Sequence, residues 1–327
     1  MQTSVVQAVV DAPRESDRGI LAVVGKRSVA KDVTEFTFVR PDGSRLPDWA
    51  PGAHIDVALP DGPTRQYSLC GDRWDAAHYR IAVQREEQGR GGSVLLHDEV
   101  EVGDTLSFGG PRNNFRLAPA ERYLFIAGGI GITPMIPMMA QADLLGIEWD
   151  LLYLGKTQDR LAYLELLACR GEQVNVHLSG DRGRTDLDTW RPELPTTRVY
   201  ACGPERLLDA VEAWGAVPGG LPPRTERFTA SGLASAGPAT WFEVVAARSG
   251  VAVTVSPSLS IVEALSEAGV DVLTSCAQGV CGTCETDVLE GTPDHRDSVL
   301  DDRERAENRC MFPCVSRCAG GRLVLDL

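Results

Sequence analysis

Residues 276–284 read Cys-Ala-Gln-Gly-Val-Cys-Gly-Thr-Cys, and this stretch decides the fold of the last part of the chain. Its cysteines are spaced C-x4-C-x2-C, which is typical of loops that hold a [2Fe–2S] cluster through thiolates. Such a cluster needs a fourth, distant cysteine, and Cys314 is available for that role. Small residues in the loop allow backbone N–H groups to turn toward the sulfur atoms. The stretch therefore predicts an iron–sulfur domain with the candidate ligands Cys276, Cys281, Cys284 and Cys314.

A zinc site or a set of buried free thiols would also bring cysteines together, and the spacing alone leaves both possible. Zinc sites usually use two C-x2-C pairs, however, and this stretch has one. Cys310 and Cys318 lie on either side of Cys314 and compete with it for the fourth position. Because Pro313 disfavours a helix here, we expect an extended segment on which only one of these three cysteines can reach the cluster.

The composition of the 327-residue chain is that of an ordinary globular protein, with 43% hydrophobic and 24% charged residues. Its length suits two or three domains. The net charge of −14 argues against nucleic acid as a partner, because phosphate binding requires a basic surface. Residues 123–142 carry no charge, but their glycines and prolines fit a strand, a turn and a helix start better than a membrane span. We expect a cytoplasmic protein with no membrane partner, in which clustered cysteines serve as metal ligands.

The pattern of the chain changes twice, which predicts three domains. Short strands separated by turn sequences come first and are typical of an antiparallel β-barrel. Strands that alternate with helices follow, with helix starts expected near Pro134, Arg160 and Pro204, and they indicate a parallel, doubly wound α/β sheet. A linker of small residues then leads to the cysteine-rich unit. The predicted boundaries are residues 15–118 for the barrel, 119–229 for the α/β domain, 230–240 for the linker and 241–327 for the last domain.

The barrel contains a strand, Arg-Gln-Tyr-Ser-Leu at residues 65–69, that suits a phosphate-bearing cofactor. Arg65 can pair with a phosphate through charge-assisted hydrogen bonds, which are among the strong ones. Tyr67 offers a ring and a hydroxyl, and Ser68 offers a hydroxyl that can hydrogen-bond to the cofactor. Any half-buried edge strand can carry these residues, so the motif gains weight only when a second phosphate-binding feature accompanies it.

A glycine-rich loop follows the next strand and precedes an apparent helix. Glycines before a helix, with Ser93 as the N-cap, form a cradle of backbone N–H groups for an anion. An ordinary hairpin loop has a similar composition, but together with Arg65 the loop predicts a flavin phosphate site. The candidate cofactor-binding residues in this part of the chain are Ala82, Val83, Gly91, Gly92 and Ser93.

Two turns in the α/β domain suit a dinucleotide. The strand at residues 123–127 is followed by Gly-Gly-Ile-Gly-Ile-Thr-Pro, in which Pro134 replaces the third glycine of the usual fingerprint and suits a first helical turn. A later strand ends in Ala-Cys-Gly-Pro, where a buried structural thiol is the alternative role for the cysteine and the order and spacing of the motifs argue against it. The candidate residues of the two turns are Gly128, Gly129, Gly131, Thr133, Cys202, Gly203 and Pro204.

The cysteine-rich segment resembles a plant-type ferredoxin. The likeness extends beyond the cluster loop to Asp-His-Arg-Asp-Ser-Val-Leu at residues 294–300 and to residues 311–316. It favours Cys314 as the fourth ligand, because the family places its last ligand just after a short apolar strand. It also implies a ferredoxin-like, β-grasp α+β fold for the last domain.

The whole chain from about residue 19 resembles the phthalate dioxygenase reductase family, which includes vanillate demethylase reductases. The motif at residues 65–69 and the turn at residues 128–134 are similar to those of ferredoxin reductases. The resemblance implies that Thr133 touches the flavin, that Ser68 lies near its reactive nitrogen and that Cys202 lies beside the nicotinamide. Phe228 matches an aromatic that packs near the flavin, although a core or linker role is equally compatible with the sequence. Ser68 and Cys202 are thus the candidate catalytic residues.

The order of domains in the family implies FMN rather than FAD, together with NADH and a [2Fe–2S] cluster. Lys156 and Arg160 can favour NADPH, whereas Asp159 opposes it, and the resemblance favours NADH. We expect a monomeric reductase that passes electrons to a separate oxygenase component, with a Rieske aromatic oxygenase or demethylase favoured over a haem monooxygenase. A non-enzymatic iron–sulfur carrier and a flavin reductase for quinones or oxygen are the alternatives.

Overall fold

The computed structural model describes residues 18–59, 64–192, 195–215, 221–228, 240–300 and 302–327. The described residues form a six-stranded antiparallel sheet, a five-stranded parallel sheet and a ferredoxin-like sheet, in that order along the chain. This confirms the predicted multidomain fold class. The predicted start of the barrel at residue 15 and most of the predicted linker, residues 230–239, lie outside the described residues.

The first sheet closes into the predicted barrel. Its edge strands, β4 and β5, approach each other through a bridge between Leu69 and Ile81, and the strand order is β4-β3-β6-β1-β2-β5. Buried aliphatic and aromatic side chains fill the interior, because alternate residues of each strand face inward. The elements are β1 (Arg18–Ala30), β2 (Val33–Val39), β3 (His54–Ala58), β4 (Thr64–Ser68), β5 (Tyr79–Gln84), α1 (Gly92–Asp98) and β6 (Thr105–Arg112).

The second sheet is parallel in the order β11-β10-β7-β8-β9. Apolar side chains of its central strand alternate between two cores, one shared with α2 and the other with α5, so helices cover both faces as a doubly wound sheet requires. The elements are β7 (Arg122–Gly128), α2 (Met135–Leu145), β8 (Glu148–Gly155), α3 (Leu164–Ala168), β9 (Val174–Leu178), α4 (Ser179–Arg182), β10 (Thr197–Cys202), α5 (Glu205–Glu212) and β11 (Arg224–Glu226).

The third sheet has the order β13-β12-β18-β14-β16, in which β12 and β18 run parallel. Its helix α6 starts with a reciprocal capping box between Ser260 and Glu263, which satisfies donors at the helix start. The elements are β12 (Phe242–Ala246), β13 (Val251–Val255), α6 (Ile261–Glu267), β14 (Thr286–Glu290), β15 (Pro293–Asp294), α7 (Asp302–Glu307), β16 (Cys310–Met311), β17 (Arg317–Cys318) and β18 (Arg322–Leu325).

The uncharged stretch at residues 123–142 forms β7, a short turn and most of α2, as expected. Within the described part of the chain, no helix has the length and apolarity needed to cross a membrane.

Three local predictions were wrong, and two of them concern the starts of helices. The helix expected near Arg160 begins at Leu164, because Gln158–Arg160 form a tighter turn and Tyr163 takes a left-handed φ of 63°. Ser93 is not the N-cap of α1. Gly91 occupies that position with a φ of 81°, and Ser93 Oγ accepts a hydrogen bond from the Glu86 N–H at 3.0 Å.

The segment around Cys314 also differs from the extended path that we expected. Residues 313–315 form a turn between β16 and β17, stabilised by hydrogen bonds from the N–H groups of Val315 and Ser316 to the Phe312 carbonyl. Pro313 does exclude a helix, but the chain reverses instead of continuing as one strand. This turn separates Cys314 from Cys310 and Cys318, which lie on the two flanking strands.

Close backbone contacts between the two turns of the parallel sheet require glycine. A Cβ atom added to Gly131 would lie 2.2 Å from the Cys202 carbonyl oxygen, and one added to Gly128 would lie 2.6 Å from Pro204 Cδ. The turn after β7 therefore packs directly on the turn after β10. This packing positions Cys202 beside the glycine-rich turn.

The substitution Gly131→Ala should destabilise the chain, because a methyl group at this position overlaps backbone that cannot move aside easily. We expect a loss of about 1–3 kcal/mol in the free energy of unfolding, as is typical of overpacking. Urea denaturation of the variant measures this loss. Gly320→Ala is the matched control, since a Cβ there has no heavy atom within 4 Å, and equal stability of the two variants would contradict the assigned contact.

Candidate functional site

The structure brings Arg65 of β4 together with the glycine-rich loop. The Arg65 guanidinium donates a hydrogen bond from Nη2 to the Arg90 carbonyl at 3.2 Å. A Cβ added to Gly92 would lie 2.8 Å from Arg65 Cγ, so glycine at this position allows the arginine side chain to cross the start of α1. Arg65, Gly91, Gly92 and Ser93 thus lie in one place, as the phosphate-site prediction requires.

Ser68 and Cys202 meet around a carboxyl group that sequence reasoning missed. The Ser68 hydroxyl donates to Glu226 Oε2 at 3.4 Å, and the Cys202 thiol lies 3.9 Å from the same oxygen. Burial raises the pKa of Glu226 to about 8, and hydrogen bonds from Ser68 and Cys202 partly oppose this rise. Burial, followed by the charge of Glu226, also raises the pKa of Cys202. The group can therefore hold a proton at Glu226 near neutral pH.

A pocket beside Ser68 is lined by residues from all three domains. Ser68 contributes from the barrel, Glu226 and Phe228 from the end of the parallel sheet, and Val280 from the cysteine loop. Phe228 is 41% exposed, so its ring is available to a molecule in the pocket. The full set of lining residues is His54, Gln66, Ser68, Glu226, Arg227, Phe228 and Val280.

Several predicted residues lie away from this pocket. Tyr67 packs against the barrel core on the Arg65 side of β4, and Val83 is buried inside the same core. Ala82 packs against the α/β domain. Thr133 is buried, and its hydroxyl donates to the Ile130 carbonyl at 3.0 Å. The structure therefore shows no pocket-facing side chain for Ala82, Val83 or Thr133.

The four predicted cluster ligands lie together. Cys276, Cys281 and Cys284 are buried in the loop, with Cys276 and Cys281 within hydrogen-bonding range of each other. The Cys314 thiol lies within the same range of Cys276 and Cys284. A Cβ added to Gly279, whose φ is 67°, would lie 2.5 Å from Val315 Cγ2, so glycine lets the loop approach the Cys314 turn.

The donor set fits a [2Fe–2S] cluster. Backbone N–H groups of Gln278 and Thr283 donate to the sulfur atoms of Cys276 and Cys281 at 3.2 Å and 3.4 Å, a pattern that stabilises thiolates and tunes cluster potential. Among the described residues, no three His, Cys, Asp or Glu side chains are arranged to hold a single metal ion. A [2Fe–2S] cluster is a different case, because four thiolates are shared between two irons.

Cys310 and Cys318, which compete with Cys314 for the fourth ligand position, lie in surroundings that differ from those of the four predicted ligands. Cys310 is hydrogen-bonded to Glu285, and burial followed by this carboxyl raises the pKa of its thiol to about 12. Cys318 is buried in the hydrophobic core of the ferredoxin-like domain. The positions of these cysteines support Cys314 as the fourth ligand.

Five pocket residues were not among the sequence-based candidates, namely His54, Gln66, Glu226, Arg227 and Val280. Gln66 lies two positions before Ser68 on the same strand, so the alternation of strand side chains could have identified it. His54 is paired with Ser68 across β3 and β4, a relation that depends on strand register. Glu226 lies two residues before the candidate Phe228, but its position beside Cys202 depends on the pairing of β11 with β10.

Serine substitutions should separate the three competing cysteines. Cys314→Ser should lose the visible absorption of the cluster and its iron, since this thiol alone faces the other ligands. Cys310→Ser and Cys318→Ser should keep both, although Cys318→Ser places a hydroxyl in an apolar core and should unfold at a lower temperature. Absorption spectra and iron content per chain measure these outcomes. A stable cluster in Cys314→Ser together with a lost cluster in Cys310→Ser would overturn the assignment.

Glu226 should make stability depend on pH. Its pKa is raised from 4.5 to about 8, so the folded chain holds this proton more tightly than the unfolded chain does. The resulting contribution to stability is complete below about pH 4.5 and is lost as the pH rises toward 8. The wild type should therefore lose stability relative to Glu226→Gln as the pH rises from about 4.5 to about 8.

Urea denaturation at a series of pH values measures this effect. Glu121→Gln, a change at an exposed carboxyl, is the control and should follow the wild-type profile. Identical pH profiles for the wild type and Glu226→Gln would show that the carboxyl is not in a desolvated position.

Comparisons with known proteins agree with this geometry. Residues 21–117 match a family model described as an oxidoreductase FAD-binding domain, and residues 244–319 match a 2Fe-2S iron-sulfur cluster binding domain. The toluene-4-sulfonate monooxygenase system reductase subunit of Comamonas testosteroni is 41% identical over 316 residues, which is 94% of this chain and 98% of that protein.

Further relatives extend the likeness to solved structures. Phthalate dioxygenase reductase of Burkholderia cepacia is 36% identical over 324 residues, covering 96% of this chain and 99% of that protein. A solved phthalate dioxygenase reductase structure matches 97% of this chain and 100% of its own length with a TM-score of 0.69. An intact type IV self-sufficient cytochrome P450 monooxygenase matches 98% of this chain at 40% identity and a TM-score of 0.88, but this chain covers only 43% of that protein.

These likenesses extend over nearly the whole chain, through the barrel, the parallel sheet and the cluster domain alike. The chain belongs to the phthalate dioxygenase reductase family of NAD(P)H-dependent oxidoreductases, which carry a flavin and a C-terminal [2Fe–2S] cluster.

Proposed function

We propose that this chain is the reductase component of a multicomponent oxygenase system. It takes electrons from NADH and passes them through FMN and a [2Fe–2S] cluster to a Rieske aromatic oxygenase or demethylase. The observation that carries the proposal is the pocket where Ser68 of the barrel, Glu226 of the parallel sheet and Val280 of the cysteine loop meet. The relatives named as reductases of phthalate dioxygenase and toluene-4-sulfonate monooxygenase systems support the choice of partner.

Each domain has one task in this proposal. The barrel, assigned to residues 15–118, holds the flavin, and the α/β domain at residues 119–229 holds the nicotinamide cofactor. After a linker at residues 230–240, the last domain at residues 241–327 holds the cluster. When bound, flavin accepts a hydride and releases electrons singly, which lets a two-electron donor serve a one-electron acceptor. Ser68 and Glu226 line the pocket, and the buried Cys202 thiol lies 3.9 Å from the Glu226 carboxyl, which can hold a proton near neutral pH. Gly129, where an added Cβ would have only Gln84 Oε1 within 4 Å, leaves backbone accessible to the dinucleotide. Gly128, Gly131 and Gly203 allow the two turns beside it to pack together.

The surroundings of the phosphate site support FMN rather than FAD. FMN ends in a phosphate, whereas FAD continues into an adenylate that needs further space. Arg65 bonds to the Arg90 carbonyl, and the Arg90 side chain donates to Gln278 of the cysteine loop at 2.9 Å. The ferredoxin-like domain thus contacts the glycine-rich loop beside Arg65, which supports the smaller flavin.

Ion pairs after β8 support NADH. The Arg160 guanidinium pairs with Asp32 of the barrel at 3.0 Å, so its charge is already partnered and less available to a 2′-phosphate. The Asp159 carboxylate accepts a hydrogen bond from Thr157 at 2.5 Å and pairs with Lys31 of the barrel at 3.8 Å, so it places a negative group in the same turn. A second candidate partner, a haem monooxygenase, is favoured only by the likeness to the self-sufficient cytochrome P450.

A comparison of electron acceptors tests the proposed function. With NADH as donor, the wild type should reduce both a purified Rieske oxygenase and a small quinone, whereas Cys314→Ser should reduce only the quinone. NADPH should be the poorer donor for both reactions. If Cys314→Ser still reduces the Rieske protein at the wild-type rate, electrons leave directly from the flavin, and a flavin reductase for small acceptors becomes the better description.

The substitution Arg65→Ala should weaken FMN retention without unfolding the chain. A lost hydrogen bond to a charged group costs about 1.5–3 kcal/mol, or about ten- to a hundred-fold in affinity. Fluorescence titration of the flavin-free protein with FMN measures this loss. Arg45→Ala, which removes an arginine whose 2.5 Å ion pair is with Asp48 on the barrel surface, is the control. Equal FMN affinity of the two variants would sink the phosphate assignment.

A further inference from the structure

His54 occupies a position that the proposed hydride transfer does not use. It is the first residue of β3, it is only 5% exposed, and it lines the central pocket. The pairing of β3 with β4 sets His54 directly opposite Ser68, so their side chains lie on the same face of the barrel. The imidazole is therefore a neighbour of the group formed by Ser68 and Glu226.

The ring of His54 also reaches the cysteine loop. It forms a hydrogen bond with the backbone of Cys281, one of the cluster ligands. Its Nε2 atom is buried and has no hydrogen-bond partner among the described residues, so Nδ1 makes the bond to Cys281. Buried polar atoms in folded proteins are nearly always hydrogen-bonded, and an orphaned one in a binding pocket points to a missing ligand.

Neighbouring contacts join the barrel to the cysteine loop around His54. Gln66 Nε2 donates to Ser275 Oγ at 3.0 Å and to Asp56 Oδ1 at 2.9 Å, which ties β4 to the residue before Cys276. A Cβ added to Gly282 would lie 2.6 Å from Asn114 Nδ2. The loop that holds the cluster is thus in contact with the flavin barrel on both sides of His54.

We propose that His54 is a positioning residue for electron transfer from flavin to cluster. One ring nitrogen holds the Cys281 segment against the pocket, and Nε2 hydrogen-bonds to the flavin bound there. A neutral imidazole that donates through Nδ1 has an acceptor at Nε2, which suits a ring N–H or a ribityl hydroxyl. This inference rests on the proposed function, because it needs a flavin in the pocket.

Three substitutions separate the two bonds. Asn places an amide close to the position of Nδ1, Gln places one close to that of Nε2, and Leu offers neither. His54→Leu should slow cluster reduction by the flavin about five- to tenfold, the loss expected from one net hydrogen bond, and should also weaken FMN binding. His54→Asn should recover most of the cluster reduction rate, while His54→Gln should recover most of the FMN affinity. His78→Leu, at a barrel histidine paired with Asp75, is the control and should match the wild type in both.

Anaerobic stopped-flow mixing with NADH supplies the kinetic readout. The flavin band reports hydride transfer and the cluster band reports the later step, so the two are resolved in one trace. In FMN-saturated His54→Leu, hydride transfer should slow less than cluster reduction does, because the bond to Cys281 affects only the later step. If NADH fails to bleach the wild-type flavin, the proposed function itself is wrong. If NADH bleaches the wild-type flavin but the cluster is reduced as fast in His54→Leu as in the wild type, His54 is an ordinary core residue and only this inference fails.

Two readouts do not depend on turnover. The flavin midpoint potential should shift in His54→Leu and His54→Asn but stay close to the wild-type value in His54→Gln. Hydrogen exchange of the flavin-free protein should be faster over residues 275–284 in His54→Leu and His54→Gln than in His54→Asn. Wild-type potential and wild-type exchange in His54→Leu would overturn the proposal.

Discussion

A hydride carries two electrons and a [2Fe–2S] cluster accepts one, so a flavin must touch the nicotinamide on one side and lie near the cluster on the other. This constraint requires three separately folded sheets to meet at one pocket. They do so where Ser68 donates to Glu226 at 3.4 Å and Val280 closes the third side. Close packing at glycines and polar contacts between domains hold the sheets in this arrangement.

In the α/β domain and in the cluster domain, glycine residues allow the turns that form the site to pack closely. Gly131 lies so close to the Cys202 carbonyl that no other residue fits without displacement, and Gly279 stands in the same relation to Val315. Ion pairs and hydrogen bonds between domains act at the periphery, as between Arg160 and Asp32 or Arg90 and Gln278. Close packing at these glycines therefore fixes the shape of each turn within its own domain, and polar contacts at the pocket and at its periphery hold the three domains together.

The sequence predicted those parts of the site that depend on local spacing. The cysteine loop, the Arg65 strand and the two glycine turns each carry their chemistry within a few residues, so their positions could be assigned without a structure. Glu226 and His54 could not be assigned in this way, because they become neighbours of Ser68 only through strand pairing. The helix predicted near Arg160 failed for a related reason, since Tyr163 takes a left-handed conformation and contacts Glu35 of the barrel at 2.9 Å.

The central claim is that electrons cross from flavin to cluster inside one chain, through the pocket that the three domains share. Single-turnover reduction by NADH at several protein concentrations tests it most directly. The account predicts that the flavin band bleaches first and that the cluster band follows with a rate constant independent of protein concentration. A cluster rate that rises in proportion to protein concentration, or a cluster reduced before the flavin, would contradict it.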